Sequence, residues 1–190
     1  MKNILLVPLL LIFSFSNSQE VNDNLPYYEV PDYTETFTAG TMAARMVDAL
    51  GFRFYWASAE LTTKDLNYKP SENSRTTAET LNHIYDLSKI ILNSTLKKPN
   101  NSSTYEEISY SEKRSKTLNN LKIAADILRS SNNISQYKII FGNREIPFWN
   151  QVNGPIADAI WHCGQIASYR RASGNPINPK VNHFTGKVRD

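Results

Sequence analysis

The apolar residues of this chain recur at steps of three and four positions over four long stretches, which is the period of an α-helix. The predicted helices run from about Thr38 to Leu61, from Thr76 to a point before Pro99, from Ser109 or Ser111 to about Ser130, and from about Pro155 to Ala172. Before the last helix, residues 138–149 predict a small hairpin around Gly142, or a compact loop. Four helices of this length with so little strand predict an all-α four-helix bundle, antiparallel or with crossover connections.

Residues 1–18 have the pattern of a secretory signal peptide. A positive charge precedes an almost wholly apolar run over residues 4–15, and small residues at Ser16 and Ser18 suit a cleavage site. The run is shorter than the roughly 20 residues that a spanning helix needs, although an uncleaved N-terminal anchor stays open as the alternative. No cysteine lies near the cleavage point to accept a lipid. We therefore expect a periplasmic or secreted protein that begins near Gln19 and has no stable membrane span once the signal is removed.

The mature chain of roughly 170 residues is the size of one domain. Residues 19–37 are rich in Asn, Asp, Pro and Tyr and predict an extended lead-in. Residues 38–174 hold the predicted bundle, and residues 175–190 form a tail in which Pro176 and Pro179 predict extended structure. The expected organisation is a single helical domain between two extended ends.

Composition and charge exclude some classes of function. The protein is 41% hydrophobic and 21% charged, as is ordinary for a globular chain, and its formal net charge is +3. No basic cluster or basic–aromatic run stands out, so the sequence predicts no nucleic-acid partner. The single cysteine, Cys163, cannot form an internal disulfide. Because no basic neighbour would stabilise its thiolate, we interpret Cys163 as a small buried apolar residue and not as a catalytic one.

The last predicted helix carries an unusual polar face. At about 100° per residue, four polar side chains fall within an arc of roughly 60°, with one tryptophan at its margin. These residues are Asp158, His162, Gln165 and Tyr169, with Trp161. Asp158 is the only charged residue of segment 153–169, whereas an exposed helical face normally carries several Lys or Glu. We therefore interpret this face as the lining of a cleft.

Three residues are candidates for a metal site. Asp158 and His162 are four positions apart, so they lie one turn apart on the same helical face, a spacing that suits two ligands of one ion. His83 lies on the second predicted helix among apolar neighbours, where a core histidine is the simpler interpretation. Facing helices of bundles nevertheless build metal sites from inward side chains, and two His with one carboxylate suit zinc or non-haem iron. His183, in the tail, is interpreted as a surface residue.

Two motifs resemble those of the DinB/YfiT-like superfamily. Residues 81–87 (LNHIYDL) resemble its second-helix motif, and residues 158–165 (DAIWHCGQ) resemble its last-helix motif H-x-x-H-H-R-G-Q. The resemblance extends over residues 33–174 and implies a four-helix bundle with a metal site in a cleft. In the family, that site takes one histidine from the second helix and a His-x-x-x-His pair from the last helix.

Carried onto this chain, the motifs make His83 and His162 metal ligands and give Gln165 the place of the family's glutamine. The sequence departs from the family at Asp158, which stands where the first histidine of the pair is expected. Trp161 and Cys163 replace the intervening His and Arg. The resemblance thus implies a divalent ion, zinc, nickel or iron, held by His83, Asp158 and His162, with Gln165, Tyr169 and Trp161 around it or lining the cleft.

Known activities of the family include metal-dependent transfer involving low-molecular-weight thiols and related isomerase chemistry, and the analogy leaves a homodimer open. We therefore expect a metal-dependent transferase or hydrolase whose substrate the sequence does not name. One alternative is a non-catalytic protein that binds a small molecule in the cleft. Another is an envelope interaction protein for which the bundle is only a scaffold.

Overall fold

The computed structural model describes residues 25–101 and 108–190. The predicted signal peptide and the first part of the predicted lead-in lie outside the described residues. Within the described ranges, no helix is both long enough and apolar enough to cross a membrane.

The described chain is mostly helical, which confirms the predicted class. Its helices are α1 (Ala39–Ala57), α2 (Thr63–Asn67), α3 (Thr77–Thr95), α4 (Tyr110–Arg129), the single turn α5 (Trp149–Gln151) and α6 (Ala157–Ser173). The predicted hairpin before the last helix is present, with β1 (Ile139–Phe141) pairing antiparallel to β2 (Arg144–Ile146). A second antiparallel pair, β3 (Val181–Asn182) and β4 (Lys187–Val188), lies in the C-terminal tail.

Helices α1, α2 and α3 each begin after a threonine whose side chain accepts a hydrogen bond from a backbone amide of the first turn. At the start of α3, the Glu79 amide donates to Thr76 Oγ1 at 3.1 Å, and the Thr76 amide donates to Glu79 Oε2 at 2.7 Å. This capping box is the one that the sequence predicts. Thr38 and Thr62 cap α1 and α2 in the same reciprocal way.

Helix α1 ends four residues earlier than the sequence predicts. Ser58 closes it, because both its amide and its hydroxyl donate to the Phe54 carbonyl, at 2.9 and 2.6 Å. Glu60 then takes a positive φ of 55°, which a helix cannot contain. The segment that follows is free to form the separate helix α2.

The four long helices enclose the core. Helix α1 packs against α4 and α6, and α3 packs against the same two helices. The fully buried large side chains come from every one of them and include Leu50, Phe54, Ile84, Ile91, Leu118, Leu121, Leu128 and Ile166. Since α3 and α6 are in direct contact, side chains of their shared face can meet.

An irregular stretch leads into α6. The sequence predicts that Pro155 opens the last helix, and a short helical stretch already precedes it from Trp149. Gly154 takes the non-helical angles φ −97°, ψ −111°, which kink this stretch directly before Pro155. Pro155 has no amide hydrogen to donate, so it suits the first position of the helix that continues as α6.

Both ends of the described chain pack on α1. Tyr27 and Val30 of the lead-in are buried, and the Val30 amide donates to the Gly186 carbonyl at 2.8 Å. The tail, expected to be extended, forms the β3–β4 hairpin instead. Asn182 Oδ1 accepts the amides of Phe184 and Thr185 in its turn, and Gly186 supplies a positive φ of 71°.

Candidate metal centre

Three ligand-type side chains meet across the α3–α6 contact. His83 lies near the middle of α3, and Asp158 and His162 lie one turn apart near the start of α6. One ligand atom from each of the three falls within 4.8 Å of the other two. Among residues 25–101 and 108–190, this is the group of three His, Cys or acidic residues whose geometry suits a metal ion.

The carboxylate of Asp158 lies between the two imidazoles. His83 Nε2 donates to Asp158 Oδ2 at 3.0 Å, and His162 Nε2 lies 3.4 Å from Asp158 Oδ1. The two imidazole rings are nearly perpendicular, at 87°, with their centroids 4.8 Å apart. Both histidines therefore direct Nε2 toward the same carboxylate.

Gln165 holds the far side of the His162 ring. His162 Nδ1 donates to Gln165 Oε1 at 2.8 Å, a short hydrogen bond within a single turn of α6. A proton on Nδ1 leaves Nε2 of the neutral ring as a lone pair, which is the form that binds metals. Hydrogen bonds of this kind fix the tautomer and the orientation of metal-binding histidines.

In the observed geometry, the contact between His162 and Asp158 lacks a positive charge between the two facing atoms. With Nδ1 protonated, the Nε2 lone pair of the neutral imidazole faces a carboxylate oxygen at 3.4 Å. Two lone pairs repel, and a positive charge between them, either a proton or a cation, removes that repulsion. The arrangement is thus one that a cation would stabilise.

The donor set and its spacing also suit a divalent metal ion. Zinc lies about 2.0–2.2 Å from nitrogen and oxygen ligands, so two ligands of a tetrahedral ion are about 3.4 Å apart. The observed separations are 3.0 Å from His83 Nε2 to Asp158 Oδ2 and 3.4 Å from His162 Nε2 to Asp158 Oδ1. One ligand atom from each residue lies within 4.8 Å of the other two, so the side chains must move closer together to hold one ion. The side chain of His162 is 12% exposed and that of Asp158 is 44% exposed. His162 thus lies on the buried side of the cluster and Asp158 on its solvent-exposed side, which leaves positions for water or substrate.

Trp161 and Tyr169, the other two residues predicted to line the cleft, form no hydrogen bond or ring contact with this cluster among the described residues. Trp161 is 72% exposed. Tyr169 packs against Tyr68, just beyond α2, with ring centroids 5.8 Å apart. Gln165 is therefore the one residue of the three that the structure places in direct contact with a candidate ligand.

Cys163 and His183 lie on the other side of α6. Burial raises the pKa of the Cys163 thiol to about 12, so the thiolate is not available near neutral pH. His183 stands edge-on to Phe52 of α1, with centroids 5.7 Å apart. It lies at the rim of a cavity that also contains Arg53 and Arg171. No local sequence pattern indicates this cavity, because its walls come from α1, α6 and the tail.

No family model matches the sequence, and no curated protein or solved structure matches the chain.

Proposed function

We propose that this protein is an exported, divalent-metal-binding four-helix bundle of the DinB/YfiT-like type, and that it acts as a metal-dependent transferase or hydrolase. The observation that carries the proposal is the convergence of His83, Asp158 and His162 from two helices, with Gln165 hydrogen-bonded to the outer nitrogen of His162. Metal-binding histidines typically donate their outer ring N–H to a hydrogen-bond acceptor in this way.

The packing of the helices supports the bundle part of the proposal. The α1, α3, α4 and α6 helices carry the core, and the two helices that hold the candidate ligands are neighbours. Bundles build their metal sites in this way, from inward side chains on facing helices.

Each residue of the cluster has a distinct role in the proposed site. His83 and His162 would each present Nε2, and Asp158 would present a carboxylate oxygen whose negative charge offsets half the charge of a divalent ion. Gln165 would keep Nδ1 of His162 protonated and the ring oriented. A bound divalent ion supplies Lewis acidity and lowers the pKa of a coordinated water or thiol. The exposed side of the cluster would admit the substrate.

Elemental analysis of protein purified without a metal-affinity tag tests this proposal directly. We expect about one equivalent of zinc, nickel or iron in the wild type, and loss of that metal in His83→Ala and in His162→Ala. His183→Ala is the matched control, because this third histidine lies outside the cluster, and it should keep the metal. Wild-type protein that stays metal-free after reconstitution, or equal loss in the control, would contradict the proposal.

A specific observation also favours the second candidate function, the binding of a small molecule without chemistry. The structure holds a separate cavity of about 600 Å³ on the other side of α6. The residues that line this cavity indicate a class of ligand without reference to the metal.

A further inference from the structure

The cavity lies between α1, α6 and the C-terminal tail. Its apolar wall comes from Ile160 and Ala167 of α6 and from Pro176, Ile177 and Val181 of the tail. Its volume of about 600 Å³ is within the range of about 300–1,000 Å³ that is typical of small-molecule sites.

This cavity is distinct from the candidate metal centre. Ala167 is nine residues after Asp158, and Arg171 is nine residues after His162. At about 100° per residue, nine residues correspond to about 900°, so each pair lies on opposite faces of α6. Each site can therefore bind its ligand without the other, and binding in this cavity does not require the proposed metal-dependent function.

The charges of the cavity are all of one sign. Arg53 comes from α1 and Arg171 from the last turn of α6, and the lining contains no Asp or Glu. Arg53 donates to the Ala49 carbonyl one turn earlier, at 3.0 Å, which uses one of its donors. In the described part of the chain, neither arginine forms an ion pair with a carboxylate. By contrast, Arg129 on α4 is paired with Asp48 at 2.9 Å.

His183 completes the polar end of the cavity as a neutral group. Partial burial lowers the pKa of His183, and the nearby positive charge of Arg53 lowers it further. The imidazole is therefore uncharged at neutral pH. The positive charge at the site therefore comes from the two guanidinium groups, whose planar donor geometry matches a carboxylate or phosphate group.

We propose that the cavity between α1, α6 and the tail binds a small organic anion with an apolar body, its carboxylate at Arg53 and Arg171 and its hydrocarbon part against Ile160, Ala167 and Ile177. The tail is part of the site. It is tied to the lead-in by the backbone hydrogen bond from Val30 to Gly186, and His183 contacts Phe52 of α1. A medium-chain carboxylate has the required chemistry, since it combines one anionic head with a flexible apolar chain.

Octanoate is the probe for the test, with binding followed by the amide chemical shifts of the purified protein. We expect shifts at Gly164 and Ala167, and a dissociation constant at least tenfold lower than for 1-octanol, octylamine or inorganic phosphate. Arg53→Gln combined with Arg171→Gln should weaken octanoate binding at least tenfold. Arg144→Gln, which removes an exposed arginine on the β1–β2 hairpin, should leave it unchanged.

A second variant keeps the test decisive if the double variant fails to fold. Gly164 lines the cavity, and a Cβ added there has no heavy atom within 4 Å. Gly164→Leu should therefore fold and fill the cavity, and it should abolish octanoate binding. His162→Ala should bind octanoate as the wild type does, because the metal site lies on the opposite face. Equal binding of octanoate and 1-octanol, equal binding of octanoate and phosphate, or undiminished binding by Gly164→Leu would overturn the proposal.

Discussion

Replacing Gln165 by methionine removes the partner of His162 while keeping a side chain of similar length. In the wild type, His162 Nδ1 donates to Gln165 Oε1 at 2.8 Å, and the side chain of His162 is only 12% exposed. A thioether is a poor acceptor, so the imidazole loses both its fixed tautomer and its fixed orientation. Loss of such partners lowers metal affinity about 10–100-fold, which corresponds to about 1.4–2.8 kcal/mol.

The assay is a competition titration of metal-free protein against a chromophoric chelator, with thermal unfolding followed in parallel to establish that the fold is intact. Gln165→Glu is the informative companion, because a carboxylate also accepts from Nδ1 and should keep or tighten metal binding. Ser168→Ala controls for the helix, since within the described ranges the Ser168 hydroxyl forms a hydrogen bond only with the Gly164 carbonyl of α6. If Gln165→Met binds metal as tightly as Gln165→Glu does, the proposed role of this hydrogen bond is wrong.

Two further predictions concern stability. Gly51→Ala should destabilise the protein by about 1–3 kcal/mol, because the added Cβ would lie 2.4 Å from the ring of Tyr27. Gly164 also lies within a helix, but a Cβ added there has no heavy atom within 4 Å, so Gly164→Ala should instead stabilise the protein by about 0.5–1 kcal/mol. Urea unfolding of both variants measures the two changes in unfolding free energy. Equal changes would contradict the reasoning. Burial alone would raise the pKa of Asp65, but hydrogen bonds from Ser173, Asn175 and Thr62 outweigh it and hold the pKa well below its usual value. The resulting stabilisation is present above the unfolded-state pKa of about 3.9 and is lost as the pH falls toward the folded-state pKa. Asp65→Asn should therefore lower the unfolding free energy at pH 7 and flatten its decline in acid, and an unchanged acid limb would count against this account.

The positions of the long helices follow from local sequence, because the helical period and the capping residues act within a few positions of one another. The Thr76–Glu79 capping box could be predicted for that reason, and so could the shared face of Asp158 and His162, which are one turn apart. The ends of helices were less predictable. The early end of α1 depends on the Ser58 hydroxyl, and the extra helical stretch from Trp149 precedes the kink at Gly154 and the predicted start at Pro155.

The sequence alone determined the helical class, the small hairpin, and the presence of an imidazole and a carboxylate on one face of α6, since each depends on neighbouring residues and a fixed period. The sequence made His83 a candidate partner on a second helix, and the resemblance to the DinB/YfiT-like motifs favoured it, but only the packing of α3 on α6 brought its Nε2 to 3.0 Å from Asp158. Tertiary structure also decided the fold of the tail and the basic cavity. Arg53 and Arg171 lie far apart in the chain, and no local pattern reports that α1, α6 and the tail enclose a common space.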